Sequence, residues 1–299
     1  MASQREVRTR IASFKNIQKI TRAMEAVSAA RLRRAEQRIA ALRPYADALR
    51  RMTRQAARDA GSEVSRLPLM AAHEQDARIG ILLVTADRGL AGAFNSQIIR
   101  AGLRLGAELE AESKELVWFA SGRRGVSSLT FRGKAPQGAY TGFTDRPSYA
   151  DARAIADDLT SAFVDGELDR VEIIYNGYVS PLTQRVTQEI LLPISEATIL
   201  GEEDAPAEES DGPRALVEYE PEAEEILRVL LPDYVEISIY RALLESTASE
   251  HGARMTAMRS ASENAGELIE DLALEMNRAR QAEITQEIME VVAGAESLV

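Results

Sequence analysis

The sequence predicts an α/β protein: a long antiparallel coiled coil of the N- and C-terminal helices plus a central Rossmann-like α/β domain. Three observations point there. Residues 3–59 carry one proline, Pro44, and no glycine. Residues 222–299 carry one proline, Pro232, and only Gly252, Gly266 and Gly294. Between them, short apolar runs of strand length alternate with stretches of helical period. At roughly 1.5 Å per residue the terminal helices would run on the order of 80 and 110 Å. Neither can bury its apolar stripe in a compact domain, so they must pair with each other, with a partner, or both. The antiparallel choice holds if both helices leave one side of the central domain.

The first segment, residues 1–60, has the apolar set Val7, Ile11, Phe14, Ile17, Ile20, Met24 and Val27. After a jump of five it resumes with Leu32, Ala35, Ile39, Leu42, Ala46 and Leu49. The second run alternates three and four, the spacing of a narrow coiled-coil seam. The jump predicts a discontinuity in the supercoil. Pro44 lacks a backbone donor and predicts a bend or local break.

Residues 76–195 form the central α/β domain. Strands are expected at 79–85, 115–120, 171–176 and 185–192, and helices at 95–109 and 149–163. Alternation of the two predicts a largely parallel sheet. Residues 200–214 (through GEEDAPAEESDGPR) are poor in apolar side chains and rich in Glu, Pro and Gly, which predicts a solvated, flexible acidic loop.

The last segment, residues 222–299, has a seam of Ile237, Tyr240, Leu244, Ala248, His251, Met255, Met258, Ser262, Ala265, Ile269, Leu272, Met276 and Ala279. Its spacings alternate three and four apart from one 4,4 step after Tyr240. Many of these side chains are small, so two backbones can approach closely. Pro232 predicts a kink or a late start.

Composition narrows the function. The chain has no cysteine, which excludes disulfides, thiolate nucleophiles and cysteine metal sites. Two histidines, His73 and His251, make a histidine metal cluster improbable. No run of 18 apolar residues is present, so no membrane-spanning helix is expected. The net charge of -11 hides an asymmetry: residues 1–60 hold 15 Lys/Arg against 5 Asp/Glu, and the excess of acid lies in the remainder. A basic arm on an acidic body suits nucleic acid, an anionic membrane or an acidic protein partner. Only Phe14 and Tyr45 are aromatic in the arm, which argues against single-strand binding by stacking. The Arg-rich start resembles a transit peptide, but Glu6, Glu25 and the forty further residues of helical pattern oppose that.

The segment TADRGLAGAFN, residues 85–95, follows a strand and opens a helix. Gly89 and Gly92 are placed to turn backbone amides toward a phosphate. The chain has neither GxGxxG nor GxxxxGK[ST], so a tight turn is the better reading, with Asp87 a turn residue and Asn95 a helix cap. GxSxG and HExxH are also missing. His251, on the seam, reads as a packed histidine. The cluster Arg31, Arg33, Arg34 and Arg38 is either a solvated face or a surface for an acidic partner. The apolar tail 288–299 is either a frayed end or a tip held in a hydrophobic collar.

These residues carry a resemblance. KNIQKITRAMEAVSAARLRRA (15–35) with RPYA (43–46), then TADRGLAGAFN, then ASEHGARMTAMRSASENAG (248–266) and NRARQAEITQEIMEVVAGA (277–295) resemble, in order, motifs of the gamma subunit of F-type ATP synthases. The resemblance implies a non-catalytic rotor with no cofactor and no metal. Its coil turns inside a hexamer of alternating alpha and beta subunits, with the tip in an apolar sleeve. The α/β domain and coil base form a foot, with the epsilon subunit, on the membrane c-ring. Flow of protons or sodium ions drives the rotation. The resemblance places the chain at the cytoplasmic face of a bacterial cell membrane, peripheral to it.

Residue by residue, Met24 is similar to the shaft methionine facing the acidic loop of beta. Arg88, Arg280, Gln281 and Thr285 are similar to hexamer contacts, and Tyr219, Glu220 and Pro221 to a motif of the foot. Ala91 stands where many members have cysteine, and His251-Gly252 where Gln-Ala is usual; glycine there costs roughly 1 kcal/mol of helix propensity. Two other readings remain: a coiled-coil chaperone or tether with an α/β body, and a nucleotide-binding α/β enzyme using the Gly89/Gly92 turn.

Overall fold

The computed structural model describes residues 4–73, 75–195, 199 and 222–296. The chain divides into two compact units, Met1–Ala30 with Arg254–Val299, and Arg31–Ala253. The terminal helices α1 (Gln4–Ala60) and α5 (Ala223–Glu296) each contribute to both. The acidic segment 200–214 lies outside the described residues.

Unit 31–253 is built on a five-stranded sheet of β1 (Arg78–Val84), β2 (Glu115–Ser121), β3 (Gly138–Tyr140), β4 (Arg170–Tyr178) and β5 (Gln184–Leu192). The order is β3-β2-β1-β4-β5. The first four are parallel, as expected of a largely parallel sheet, and β5 closes one edge antiparallel to β4. The helices between are α2 (Phe94–Ala111), α3 (Arg123–Phe131) and α4 (Tyr149–Val164). Neither α3 nor the three-residue β3 was legible in the sequence.

The apolar run of β1 follows from its central place, where both faces must be covered. Ile79, Ile81 and Leu83 pack with Ile98, Leu105, Leu109 and Trp118 on the α2 side. Leu82 and Val84 pack on the other face with residues of α4 and α5, among them Ile155, Leu159, Leu231 and Ile239. Helix α2 lies so close that a Cβ on Gly102 would stand 2.4 Å from Leu83 Cδ2. Helix α4 opens with a capping box: Ser148 Oγ accepts from Asp151 N, and Asp151 Oδ2 accepts from Ser148 N at 2.8 Å.

Helix α5 in this unit has two apolar faces. Val235, Ile239, Ala242 and Leu243 join the core under the sheet, while Leu230 and Ile237 join Ala46 and Leu49 of α1. Residues 242–252 are therefore buried almost all round. Gly252 fits here because a Cβ would stand 3.0 Å from the Pro181 carbonyl oxygen, in the β4–β5 turn.

In the other unit, residues 4–30 of α1 pack on α5 from Arg254 onward. Val7 and Ile11 cluster with Leu272. Gln18 Nε2 donates to the Ser262 carbonyl at 3.3 Å, and Arg259 Nε to Glu25 Oε1 at 2.9 Å. Partner numbers fall on α5 as they rise on α1, so this pair is antiparallel.

Two expectations fail. The buried row of α1 has no jump of five. It runs Val7, Ile11, Phe14, Gln18, Thr21, Glu25, Ser28, Leu32, Ala35, Ile39, Leu42, Ala46, Leu49, Thr53, alternating four and three, each buried or half-buried. Ile17, Ile20 and Val27, expected in the seam, are 46%, 58% and 53% exposed. Polar residues take the seam because they find partners there: Thr21 Oγ1 donates to the Gln18 carbonyl and Ser28 Oγ to the Met24 carbonyl. The second failure concerns the prolines: neither the local break at Pro44 nor the late start at Pro232 occurs, since helix α1 runs through Pro44 and α5 through Pro232. Both prolines are exposed, and so are Ala40 and Arg228, whose carbonyls they orphan, so water can satisfy the lost bond. The seam read on α5 holds: each of its thirteen positions is buried or half-buried.

Candidate functional surfaces

A doubly wound sheet offers a ligand crevice beyond the C-terminal ends of its strands, where the order reverses. Here that point lies between β1 and β4, and it is filled. Asn176 of β4 is fully buried; its Nδ2 donates to the Phe94 carbonyl at 3.2 Å and its N–H to Ser246 Oγ at 3.3 Å. Ser249 Oγ donates to the Asn176 carbonyl at 3.1 Å. The start of α2 and the middle of α5 thus occupy the space a nucleotide would need.

The turn after β1 is likewise occupied from within. Thr85 Oγ1 donates to the Ser121 carbonyl and accepts from Gly125 N, both at 2.8 Å. Gly122 (φ +91) passes so close that a Cβ would stand 2.3 Å from the Thr85 carbonyl oxygen. Asp87 Oδ1 accepts from Arg123 N, the first amide of α3, at 3.1 Å. Asp87 Oδ2 accepts from Gly142 N at 2.9 Å, Thr144 N at 3.3 Å and Thr144 Oγ1 at 3.0 Å. A carboxylate of the chain itself sits where an anion would meet a helix N-terminus.

Asn95 is not the cap of α2; the N-cap position is Ala93, which makes no side-chain cap bond. Instead Asn95 Oδ1 accepts from Ala86 N at 2.9 Å and Nδ2 donates to the Arg88 carbonyl at 3.2 Å. The loop is therefore clamped at both ends and underneath. Leu90 (φ 62) and Gly92 (φ 53) adopt left-handed backbone. Arg88 is exposed and Leu90 is 65% exposed. The turn presents these two side chains on a fixed base. Sequence reasoning missed Leu90; an apolar residue between two glycines of a tight turn was the available signal.

The remaining candidates fall on unit 1–30/254–299. Met24 is half-buried, and Ile17, Ile20 and Val27 lie exposed beside it at helical spacing. These three were misassigned to the seam; the unbroken 4,3 row through Gln18, Thr21 and Ser28 was the signal that excludes them. Arg280, Gln281 and Thr285 are all exposed, and Thr285 Oγ1 donates to the Gln281 carbonyl at 2.8 Å. Arg259, the partner of Glu25, is about 20 residues from Arg280, roughly 30 Å along α5. Met24 and the Arg280 group are two patches, not one.

Among the residues of α5 whose burial is described, Leu272 is the last that is buried, and residues 281–293 are exposed throughout. Among them are Ile284, Ile288, Met289, Val291 and Val292, an apolar stretch without cover among the described residues. Tyr219, Glu220 and Pro221 lie outside the described residues. His251 is 1% exposed, as a packed histidine would be, with Nε2 3.7 Å from Asp145 Oδ1. Arg31 donates to both oxygens of that carboxylate, so the basic cluster is not wholly solvated. Arg33 and Arg34 remain exposed. No described helix is long and apolar enough to cross a membrane.

Comparison with known proteins agrees over the whole chain. The family model for ATP synthase matches residues 3–298. The ATP synthase gamma chain of Rubrobacter xylanophilus is 44% identical over 298 residues, covering 100% of this chain and 99% of the relative. That of Streptomyces avermitilis is 44% identical over 301 residues, covering 99% and 96%. Among solved structures, a chain of the Euglena gracilis mitochondrial ATP synthase (OSCP/F1/c-ring) matches with a TM-score of 0.68 at 17% identity, covering 99% of this chain and 94% of its own. A chain of the Tetrahymena thermophila mitochondrial ATP synthase central stalk and c-ring matches at 0.59 and 24% identity, covering 81% and 99%. At those identities the structures speak to the fold alone. The full-length match to the family and the full-length relatives place this chain in the ATP synthase gamma-chain family.

Proposed function

We propose that this chain is the central-stalk rotor of an F-type ATP synthase, a non-catalytic subunit that carries rotation of a membrane ring to catalytic partners. The observation that carries the reading is the paired use of α1 and α5. In unit 1–30/254–299 they bury one seam against each other and leave Ile17, Ile20, Val27 and residues 281–293 exposed. A shaft needs this division, one face for its own cohesion and the rest for partners. The filled crevice fits a subunit that makes no bonds itself.

The partners are alpha and beta subunits around the shaft, with an epsilon subunit and the c-ring at the foot. Met24 with its exposed apolar neighbours faces an acidic loop of beta. Arg88 and Leu90, on their clamped turn, form a second contact, and Arg280, Gln281 and Thr285 a third. Tyr219, Glu220 and Pro221 belong to the foot. Coupling is differential contact: an asymmetric shaft favours one conformation of each beta subunit over another. The excess of Arg and Lys in residues 1–60 attracts acidic partner surfaces and sets register more than affinity. The chain reaches the cytoplasmic face of the membrane through these partners.

The test is assembly. Tagged chain drawn from native membranes should bring alpha, beta, epsilon and c subunits with it, and the purified chain should show no ATPase activity. ATPase activity of the chain alone, or a pull-down without alpha and beta subunits, would overturn the reading.

A further inference from the structure

A cavity of about 610 Å³ opens in unit 31–253 between the later turns of α1, the end of β5 and α5. Among the described residues its wall carries four arginines, Arg50, Arg54, Arg170 and Arg241, against one carboxylate, Glu189. Two of the four are neutralised. Arg241 donates to Glu189 Oε2 at 2.8 Å, and Arg170 to Asp76 Oδ2 at 3.1 Å. The other two are not. Arg54 Nε donates only to the Ile199 carbonyl, at 3.0 Å, and Arg50 has no carboxylate within ion-pair distance among the described residues.

Arg50 and Arg54 are four residues apart, so two like charges with no carboxylate partner among the described residues share a helix face at a cost. Between them stands Thr53, fully buried, its Oγ1 without a hydrogen-bond partner among the described residues. A threonine inside a helix ordinarily donates to the carbonyl four residues back. Thr9, Thr160, Thr247 and Thr285 all do so in this chain, and Thr53 does not. A buried hydroxyl left in this way costs free energy unless something accepts from it. The same cavity is also lined by apolar side chains, Ile190, Leu191 and Ile194 among them. Two forked cations, a spare donor and an apolar wall describe one kind of ligand.

We propose that this cavity binds a small molecule bearing a phosphate group, its oxygens held by Arg50, Arg54 and the Thr53 hydroxyl and its organic body against Ile190 and Ile194. Nothing in the rotor reading requires such a site, and the site needs no other subunit. The same chemistry arises from a soluble phosphate ester or from a lipid headgroup.

Isothermal titration of the full-length chain with pyrophosphate and with glycerol 3-phosphate tests it, alongside flotation with vesicles of phosphatidate or of phosphatidylcholine alone. Saturable one-to-one binding of a soluble phosphate is expected. Arg50→Gln and Arg54→Gln should each weaken it roughly tenfold or more, as loss of a charge-assisted hydrogen bond does. Thr53→Val should weaken it, Thr53→Ser should keep it, and Arg104→Gln on the exposed face of α2 should leave it unchanged. Thr53→Ser and Arg50→Lys guard against variants that fail to fold. Flotation with phosphatidate alone, lost in the same variants, assigns the phosphate to a lipid. The titration is repeated with Glu202, Glu203, Asp204, Glu208, Glu209 and Asp211 neutralised, so that carboxylates of the chain cannot mask the site. Failure to bind in both chains, or binding indifferent to Arg50, Thr53 and Arg54, overturns the proposal; assembly with alpha and beta subunits is read separately.

Discussion

Replacing Asp87 by alanine removes the acceptor that ties three parts of the central domain together. Its carboxylate takes the first amide of α3, the Gly142 and Thr144 amides and the Thr144 hydroxyl, while its side chain is only 10% exposed. Not all four bonds are lost energetically. Arg123 and Gly142 are exposed, so water replaces the carboxylate at their amides. Thr144 is 7% exposed and cannot be rescued so easily. One buried hydrogen bond to a charged acceptor is worth about 1.5–3 kcal/mol net. The charge at the start of α3 adds about 0.5 kcal/mol. A local destabilisation of about 2–3 kcal/mol follows, which is on the order of a hundredfold in an opening equilibrium. Hydrogen exchange reads it directly: the Thr144 amide should lose about that factor of protection, and the Gly142 amide less. Asp87→Asn should be intermediate, since one oxygen remains but its amide must face a donor. The reasoning is refuted if the Thr144 amide of Asp87→Ala exchanges within about threefold of the parent, less than half the predicted effect on a logarithmic scale.

Gly122→Ala should destabilise by about 3 kcal/mol or more in thermal unfolding, because its φ is +91 and the added Cβ would stand 2.3 Å from a backbone oxygen that cannot move aside. Gly252→Ala should gain nothing, although helix propensity alone promises about 1 kcal/mol, since the Cβ meets the Pro181 carbonyl at 3.0 Å; a Tm rise of several degrees would contradict this. Burial pushes the Asp169 carboxyl up, but the Arg78 and Ala77 amides and His73 outweigh it and hold its pKa below the ordinary value. Its stabilisation is then complete above the unfolded pKa of about 4 and lost as pH falls through the folded value, so Asp169→Asn should flatten the acid limb of a Tm-against-pH curve. For Glu245 burial is also the largest influence, and it prevails over Arg241 to hold the pKa up. That group costs stability as pH rises from the unfolded pKa through the raised folded one, so Glu245→Gln should lessen the loss of stability from acid to neutral pH.

Most of the architecture could be read in advance because it is written in long-range periodicity. Thirteen seam positions of α5 and four of the strands rest on repeats that survive any one exception. Short elements have no such redundancy. Helix α3 is nine residues with a glycine inside it, and β3 is three residues. Both exist because Asp87 and the parallel edge of β2 hold them, which are tertiary facts. Asn95 was misread for a related reason. An Asn before a helical run is commonly a cap, but the clamp it makes depends on where Ala86 and Arg88 stand, and only the folded loop sets that. The break expected at Pro44 and the late start expected at Pro232 failed in the opposite sense: the chemistry was right, but its consequence depended on which face meets water.

The misread row on α1 bears most on function. Choosing seam residues by hydrophobicity alone requires a break between Val27 and Leu32. Choosing them by geometry requires none, provided Gln18, Thr21 and Ser28 can be covered by α5. They can, since back-bonding to carbonyls three and four residues earlier satisfies Thr21 and Ser28, and Gln18 reaches the Ser262 carbonyl. The same register moves Ile17, Ile20 and Val27 outward, each about half exposed. Exchanging the two sets would complete the burial of three apolar side chains already about half covered, at roughly 1 kcal/mol each. It would also need a stutter in both helices, and the seam of α5 has none past Leu244. A chain that keeps its intramolecular seam polar over residues 18–28 and the outer line beside it apolar has, over that stretch, placed cohesion second to contact. Apolar side chains kept on an outer line beside Met24 are best explained by a surface that covers them, and in the rotor reading that surface is the bore of the hexamer.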